Sequence, residues 1–181
     1  MAENYKILDD GTIVRGDYFF NQVRGTGVQI LPFKRKAWVI YLLSAITFGI
    51  YGIVMAFAMA KETNISCAAD GKNTRGFWEV IGLSIITLGI YAIVWYVQWL
   101  NRESNFLKKR GTDGAFSGSS YLILVIIQFA VNVFGSFVPE FGAISSIVNI
   151  VLGITILTQI IRQHNKVNAC YNELNNFIQK V

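Results

Sequence analysis

The sequence predicts an all-α membrane protein with four transmembrane helices, both termini in the cytoplasm, and its first two spans related as an inverted repeat. Three observations predict it. A mean hydropathy of +0.44, with 53% hydrophobic and only 15% charged residues, is too apolar for an ordinary soluble domain of 181 residues. Charges are absent from residues 37–60, 80–101, 114–139 and 141–161, and a helix needs roughly 20 residues to cross about 30 Å of hydrocarbon. Finally, Ile46-Thr47-Phe48-Gly49-Ile50-Tyr51 returns 40 residues later as Ile86-Thr87-Leu88-Gly89-Ile90-Tyr91, with Trp38 matching Trp78 and Ile53 matching Ile93. That is an internal repeat at the scale of one crossing.

In chain order, residues 1–36 form a cytoplasmic segment. Within it Tyr5–Leu8 and Thr12–Val14 flank Asp9-Asp10-Gly11, a turn signal for a small hairpin. Four spans follow, at about 37–60, 78–100, 120–138 and 141–161, together a transmembrane domain over 37–161. Pro139-Glu140 is a minimal link, so the third and fourth spans form a tight hairpin. Residues 162–181 carry Val167, Tyr171, Leu174 and Ile178 at helical spacing, which predicts a cytoplasmic C-terminal helix.

Orientation follows from the basic residues. Of 16 Lys and Arg, only Lys61, Lys72 and Arg75 fall on the outer side of this layout, as expected when cations are retained in the cytoplasm. Trp38, Trp78, Trp95 and Trp99 stand near span ends, where indoles favour the headgroup level. The net charge of +5 lies beside the spans, so Lys34, Arg35, Lys36, Lys108, Lys109 and Arg110 read as topology anchors and contacts for anionic headgroups or a cytoplasmic protein partner. A nucleic acid is disfavoured. Cys67 and Cys170 fall on opposite sides and are not expected to pair. With one histidine, His164, and no C-x-x-C, neither a metal site nor a cofactor is expected.

Two sets of residues stand out within the spans. Ala45, Gly49, Gly52 and Ala56, echoed by Gly82, Gly89 and Ala92, form small-residue stripes suited to close helix packing. Gln128, Asn132 and Ser136 lie at i, i+4 and i+8 on the third span, and Ser145, Ser146 and Asn149 answer on the fourth. Carboxamides in hydrocarbon need partners, so these faces should interlock or line a polar pore. No buried carboxylate pair, Ser/His/Asp set, phosphate-binding glycine loop or H-E-x-x-H motif is visible. An enzyme is the class least expected.

The doubled I-T-x-G-I-Y, the basic residues before its first copy, and Gln163-His164-Asn165-x-x-Asn168 resemble a widespread bacterial membrane family known only as a domain of unknown function. The Trp expected shortly after each Tyr stands only in the second copy, as Trp95; Met55 holds that place in the first. The resemblance implies a bacterial inner-membrane protein and lends no activity. The expected function is a homo-oligomeric membrane anchor or sensor subunit that engages a cytoplasmic partner through its basic inner face. A small oligomeric pore lined by the polar faces of the third and fourth spans is the alternative.

Overall fold

The structure, a computed structural model, describes residues 5–7, 13–15, 30–112, 115–175 and 178–179. Its helices are α1 (Ala37–Ile46), α2 (Ile50–Ser66), α3 (Phe77–Ile86), α4 (Ile90–Lys108), α5 (Gly118–Phe137) and α6 (Gly142–Leu174). Short strands β1 (Tyr5–Ile7), β2 (Ile13–Arg15) and β3 (Ile178–Gln179) form an antiparallel sheet in the order β1-β2-β3, with Lys6 opposite Val14 and Val14 opposite Ile178. The Asp9-Asp10-Gly11 turn lies outside the described residues.

The doubled hexad is a helix-turn-helix. At its first copy Phe48 and Gly49 take φ of 51° and 89°. Gly49 N–H then bonds the Ser44 carbonyl at 2.7 Å and Phe48 N–H bonds Ala45 at 3.4 Å. This pair of bonds is a Schellman stop, which satisfies carbonyls left over at a helix C-terminus. Thr47 closes one helix and opens the next: its Oγ1 donates to the Leu43 carbonyl at 2.8 Å and accepts from Tyr51 N–H at 3.0 Å. The second copy repeats every step, with Leu88 at φ 51°, Gly89 at φ 89°, and Thr87 Oγ1 between Leu83 O and Tyr91 N–H. Holding Phe48 and Leu88 left-handed costs roughly 1–2 kcal/mol each. Both side chains sit at the hairpin tips, 97% and 94% exposed.

The chain therefore doubles back, which corrects the first two predicted spans. Arg35, before α1, bonds Glu62, near the end of α2, with Nη1 to Oε2 at 2.9 Å. A continuous helix would hold them about 40 Å apart. In the second copy Trp95 Nε1 donates to the Arg75 carbonyl at 3.1 Å. Residues 37–60 and 78–100 are each two antiparallel helices, and α1 and α3 have only 10 residues apiece. The repeat is not inverted either. Thr63 touches Glu103 at 2.7 Å, and earlier on both helices Phe57 meets Trp95 with ring centroids 5.1 Å apart, so α2 and α4 run in the same direction. Hydropathy cannot distinguish one long apolar helix from two short ones; the turn chemistry decides.

Among the described residues only α5 (20 residues) and α6 (33 residues) are long and apolar enough to cross a membrane, with mean hydropathies of 1.9 and 2.1 over their best windows. The 3-10 turn Pro139–Phe141 joins them. α6 continues unbroken to Leu174, and Ile178 lies in β3, so the expected separate tail helix is an extension of the last apolar one. Trp99, Leu100, Ile160, Ile161, Ala56, Ala60 and Met59 form the main core where α2, α4 and α6 meet. Gly118 brings α5 onto α4 so closely that a Cβ there would overlap the Val97 carbonyl oxygen. Gly118→Ala is expected to lower stability by about 1–3 kcal/mol, the usual range for overpacking. Gly142→Ala, which meets open space, is the control in a detergent melting experiment.

Candidate functional site

α6 leaves its apolar stretch at Ile161, and its next turns carry Gln163, His164, Asn165, Asn168 and Asn172. These side chains gather the ends of α2 and α4 and the extended segment 31–36 into one buried polar cluster. His164 is its centre. Its Nδ1 lies 2.6 Å from Glu103 Oε1 and its Nε2 lies 2.9 Å from Glu62 Oε2. With a carboxylate oxygen on each ring nitrogen, both nitrogens are donors and the ring is an imidazolium. Burial works against that charge, but Glu103 and Glu62 together outweigh it and raise the His164 pKa. Burial also works against Glu62 ionising, and the bonds from His164 and Arg35 outweigh it, lowering its pKa.

Glu103 is fully buried. Its Oε1 also accepts from Thr63 Oγ1 at 2.7 Å and Trp99 Nε1 at 3.0 Å, and its Oε2 from Gln163 Nε2 at 3.4 Å. Arg35 grips Glu62 in a bidentate fork. Two carboxylates thus face two cations, the condition under which buried charges are tolerated.

The asparagines perform a second task. Asn172 accepts from Leu31 N–H at 3.0 Å and donates to Leu31 O at 2.8 Å; Asn165 does the same for Arg35 at 3.1 and 2.8 Å. Asn168 donates to Pro32 O at 2.7 Å and to Glu62 Oε2 at 2.7 Å. Their spacing puts all three on one face of α6, where they pair the backbone of an extended segment as a neighbouring strand would. This is what the Gln163-His164-Asn165-x-x-Asn168 motif builds.

A second polar node joins α4 to the link after α2. Arg102 grips Asp70 with Nε to Oδ2 at 2.6 Å and Nη2 to Oδ1 at 2.9 Å, and donates to Thr74 Oγ1 at 3.0 Å. Burial raises the Asp70 pKa, but Arg102 and the Lys72 amide overcome it and leave it lowered. Nearby Cys67 is buried with Phe106, Leu107 and Val167, and Cys170 packs on the same cluster. The two cysteines share one side, contrary to the sequence expectation. Burial pushes the Cys67 thiol up to about 12.

These shifts set a pH profile. Glu62 and Asp70 are lowered, so their stabilisation is present above the unfolded carboxylate range near 4 and is lost as pH falls through their folded values. His164 is raised, so its contribution is complete below about 6.5 and is lost as pH rises through its folded value. Stability is expected to plateau between these limits. Denaturation measured from acid to alkaline pH tests this, and His164→Gln should remove the decline that begins above about 6.5, leaving the later loss due to the buried Cys67 thiol.

The sequence-predicted residues are distributed unevenly. Ala56 is in the core, Ala92 is half-buried, and Gly52 faces Ser44 within its own hairpin, whereas Ala45 and Gly82 are exposed. Gly49 and Gly89 serve the turns and have nothing within 4 Å of an added Cβ. Gln128, Asn132 and Asn149 do meet: Gln128 Nε2 donates to Asn149 O at 3.2 Å, and Asn149 Nδ2 to Asn132 Oδ1 at 2.8 Å. Ser136, Ser145 and Ser146 bond carbonyls one turn back on their own helices. Arg35 turns inward, Lys36, Lys108 and Lys109 are exposed, Lys34 lies over the Phe33 ring, and Arg110 lies 3.5 Å from the Phe106 ring centre.

The structure also corrects the view that no carboxylates converge. Glu62, Glu103, Arg102, Thr63 and Trp99 carry the site, yet none stood out as a candidate in the sequence. The available signal was positional: at the 40-residue offset of the repeat Glu62-Thr63 stands level with Arg102-Glu103, so polar pairs of different type follow the apolar part of both copies. His164 and Glu103 are both fully buried, so the centre of the cluster is closed, and it locks three chain segments onto α6. Among the described residues no group of His, Cys, Asp and Glu is arranged to hold a metal.

Residues 35–76 and 75–169 match a family model described as a domain of unknown function (DUF4234). No curated protein and no solved structure matches the chain.

Proposed function

Because this chain belongs to the DUF4234 family, whose description assigns no activity, its function must be read from its own geometry, and we propose that it is a non-enzymatic membrane anchor. In this reading α5 and α6 cross the bacterial inner membrane, while the α1–α2 and α3–α4 hairpins dip into the cytoplasmic leaflet and return. The locked polar head then stands on the cytoplasmic face, where it presents exposed basic residues to a partner and to anionic lipid. The supporting observation is the separation of the two hairpin ends: tips of bare apolar side chains, and bases sealed by Arg35, Glu62, Glu103 and His164. Folding back also moves Lys61, Lys72 and Arg75 to the side of the other cations, in agreement with the retention of positive charge.

Labelling in right-side-out vesicles tests it. In a Cys170→Ala background, Asn73→Cys should be shielded from an impermeant maleimide and Glu140→Cys should react. Cys67 stays silent because it is buried and weakly acidic. Labelling of Asn73→Cys from outside would restore four crossings and remove the hairpin anchor.

One observation favours oligomerisation, with the pore as its alternative form. Asn132, Ser136 and Ser146 remain exposed on the flanks of otherwise apolar helices, and polar groups at membrane depth seek a protein partner or water. Asn132→Leu should abolish conductance in planar bilayers if they line a pore, and should weaken subunit association if they form a contact between copies.

A further inference from the structure

The base of the second hairpin holds a cavity of about 850 Å³, bounded by the link after α2 and by one face of α4. Lys72, Arg75, Lys108 and Lys109 line it. Asp70 is the one carboxylate among the described lining residues, and it is already held on both oxygens by Arg102. Among the described residues Lys72, Lys108 and Lys109 have no ion-pair partner, and Arg75 reaches only the exposed Glu79, at 4.0 Å. Two separate segments therefore converge four cations on one concave space, and among the described residues only the Arg102-bound Asp70 and the exposed Glu79 stand near them with negative charge, an arrangement that concentrates a positive field.

The remaining wall suits an anion with an organic body. Trp95 lines the cavity, and its indole is fixed by the bond to the Arg75 carbonyl. Gln98 and Asn105 add carboxamides along α4. The volume lies in the range of small-molecule sites and far exceeds that of a simple inorganic ion. We propose that this cavity binds a phosphate-bearing anion, with Lys72, Arg75, Lys108 and Lys109 as its ligands. The cavity sits where α3 and α4 leave their apolar stretch, which is headgroup depth if the hairpin dips into a leaflet. A lipid ligand rests on that membrane reading; a free phosphorylated solute does not.

The experiment uses the full chain in phosphatidylcholine nanodiscs and reads the ligand-induced rise in melting temperature. One arm incorporates phosphatidylglycerol; the other adds inorganic pyrophosphate. A rise with phosphatidylglycerol alone identifies a lipid headgroup site, a rise with pyrophosphate alone a solute site, and either supports the proposal. Lys72→Gln/Arg75→Gln/Lys108→Gln/Lys109→Gln should weaken binding about tenfold or more, equivalent to about 1.4 kcal/mol, and salt should do likewise. The ligand-free melting temperature should not change. Lys108→Gln/Lys109→Gln, confined to exposed positions at the end of α4, is the gentler second variant. Lys34→Gln/Lys36→Gln, outside the cavity, should bind as wild type does. No rise in either arm, or an equal loss in the Lys34/Lys36 variant, overturns the proposal. The Asn73→Cys labelling is independent, so failure of the cavity and failure of the anchor are told apart.

Discussion

Glu103→Gln is expected to destabilise the protein by about 3–5 kcal/mol, the cost of removing one partner from a buried ion pair. The carboxylate accepts from His164, Trp99 and Thr63 through a single oxygen. An amide removes the charge that keeps the imidazole protonated, and one of its ends presents N–H groups to donors. Glu62→Gln should cost less, because that side chain remains 15% exposed and water can take part. Thermal and denaturant unfolding in detergent measure both. Glu103→Gln/His164→Gln should recover part of the loss, since the two residues share one network. If the double variant merely adds the two single losses, the residues are not coupled and the lock does not work as described.

Phe48→Lys combined with Leu88→Lys should be the most damaging change outside the head. α1 and α3 have 10 residues each, a length of about 15 Å, so in the proposed anchor the tips reach about the middle of a 30 Å core. A Lys there costs roughly 2.5–3.5 kcal/mol per position by insertion scales. Melting in lipid nanodiscs should fall for the double variant. Quenching of Trp38 and Trp78 by brominated lipid should also change as the hairpins withdraw. Phe48→Leu and Leu88→Phe, which keep the tips apolar, are the controls. If the lysines are tolerated, the tips stand in water, and the leaflet-dipping geometry is wrong.

How much of this was legible depends on the kind of information each feature carries. The apolar runs and the i, i+4, i+8 polar stripe are local, and the stripe holds the bond from Asn149 to Asn132. The hairpins were written in the hexad, in a glycine that accepts φ near 90° and a threonine able to serve two helices. A hydropathy scan averages those residues into their apolar neighbours. The head was the least legible part because its partners come from positions near 35, 62, 103 and 164, and no periodicity links them. Even so, at the 40-residue offset Glu62-Thr63 stands level with Arg102-Glu103, and the polar face of α6 follows directly from its apolar one. Those two signals together mark where the segments meet.

The bridge through His164 has a consequence for the order in which the molecule is made. Glu62 and Glu103 leave the ribosome well before His164, and Arg35 before all of them. Until α6 is synthesised, both hairpins wait with carboxylates that lack their central cation. The last long helix is therefore the closing piece, and nascent chains halted before residue 164 should be open, protease-sensitive intermediates. Closure of the head thus waits on the synthesis of α6, whichever of the hairpins has already folded.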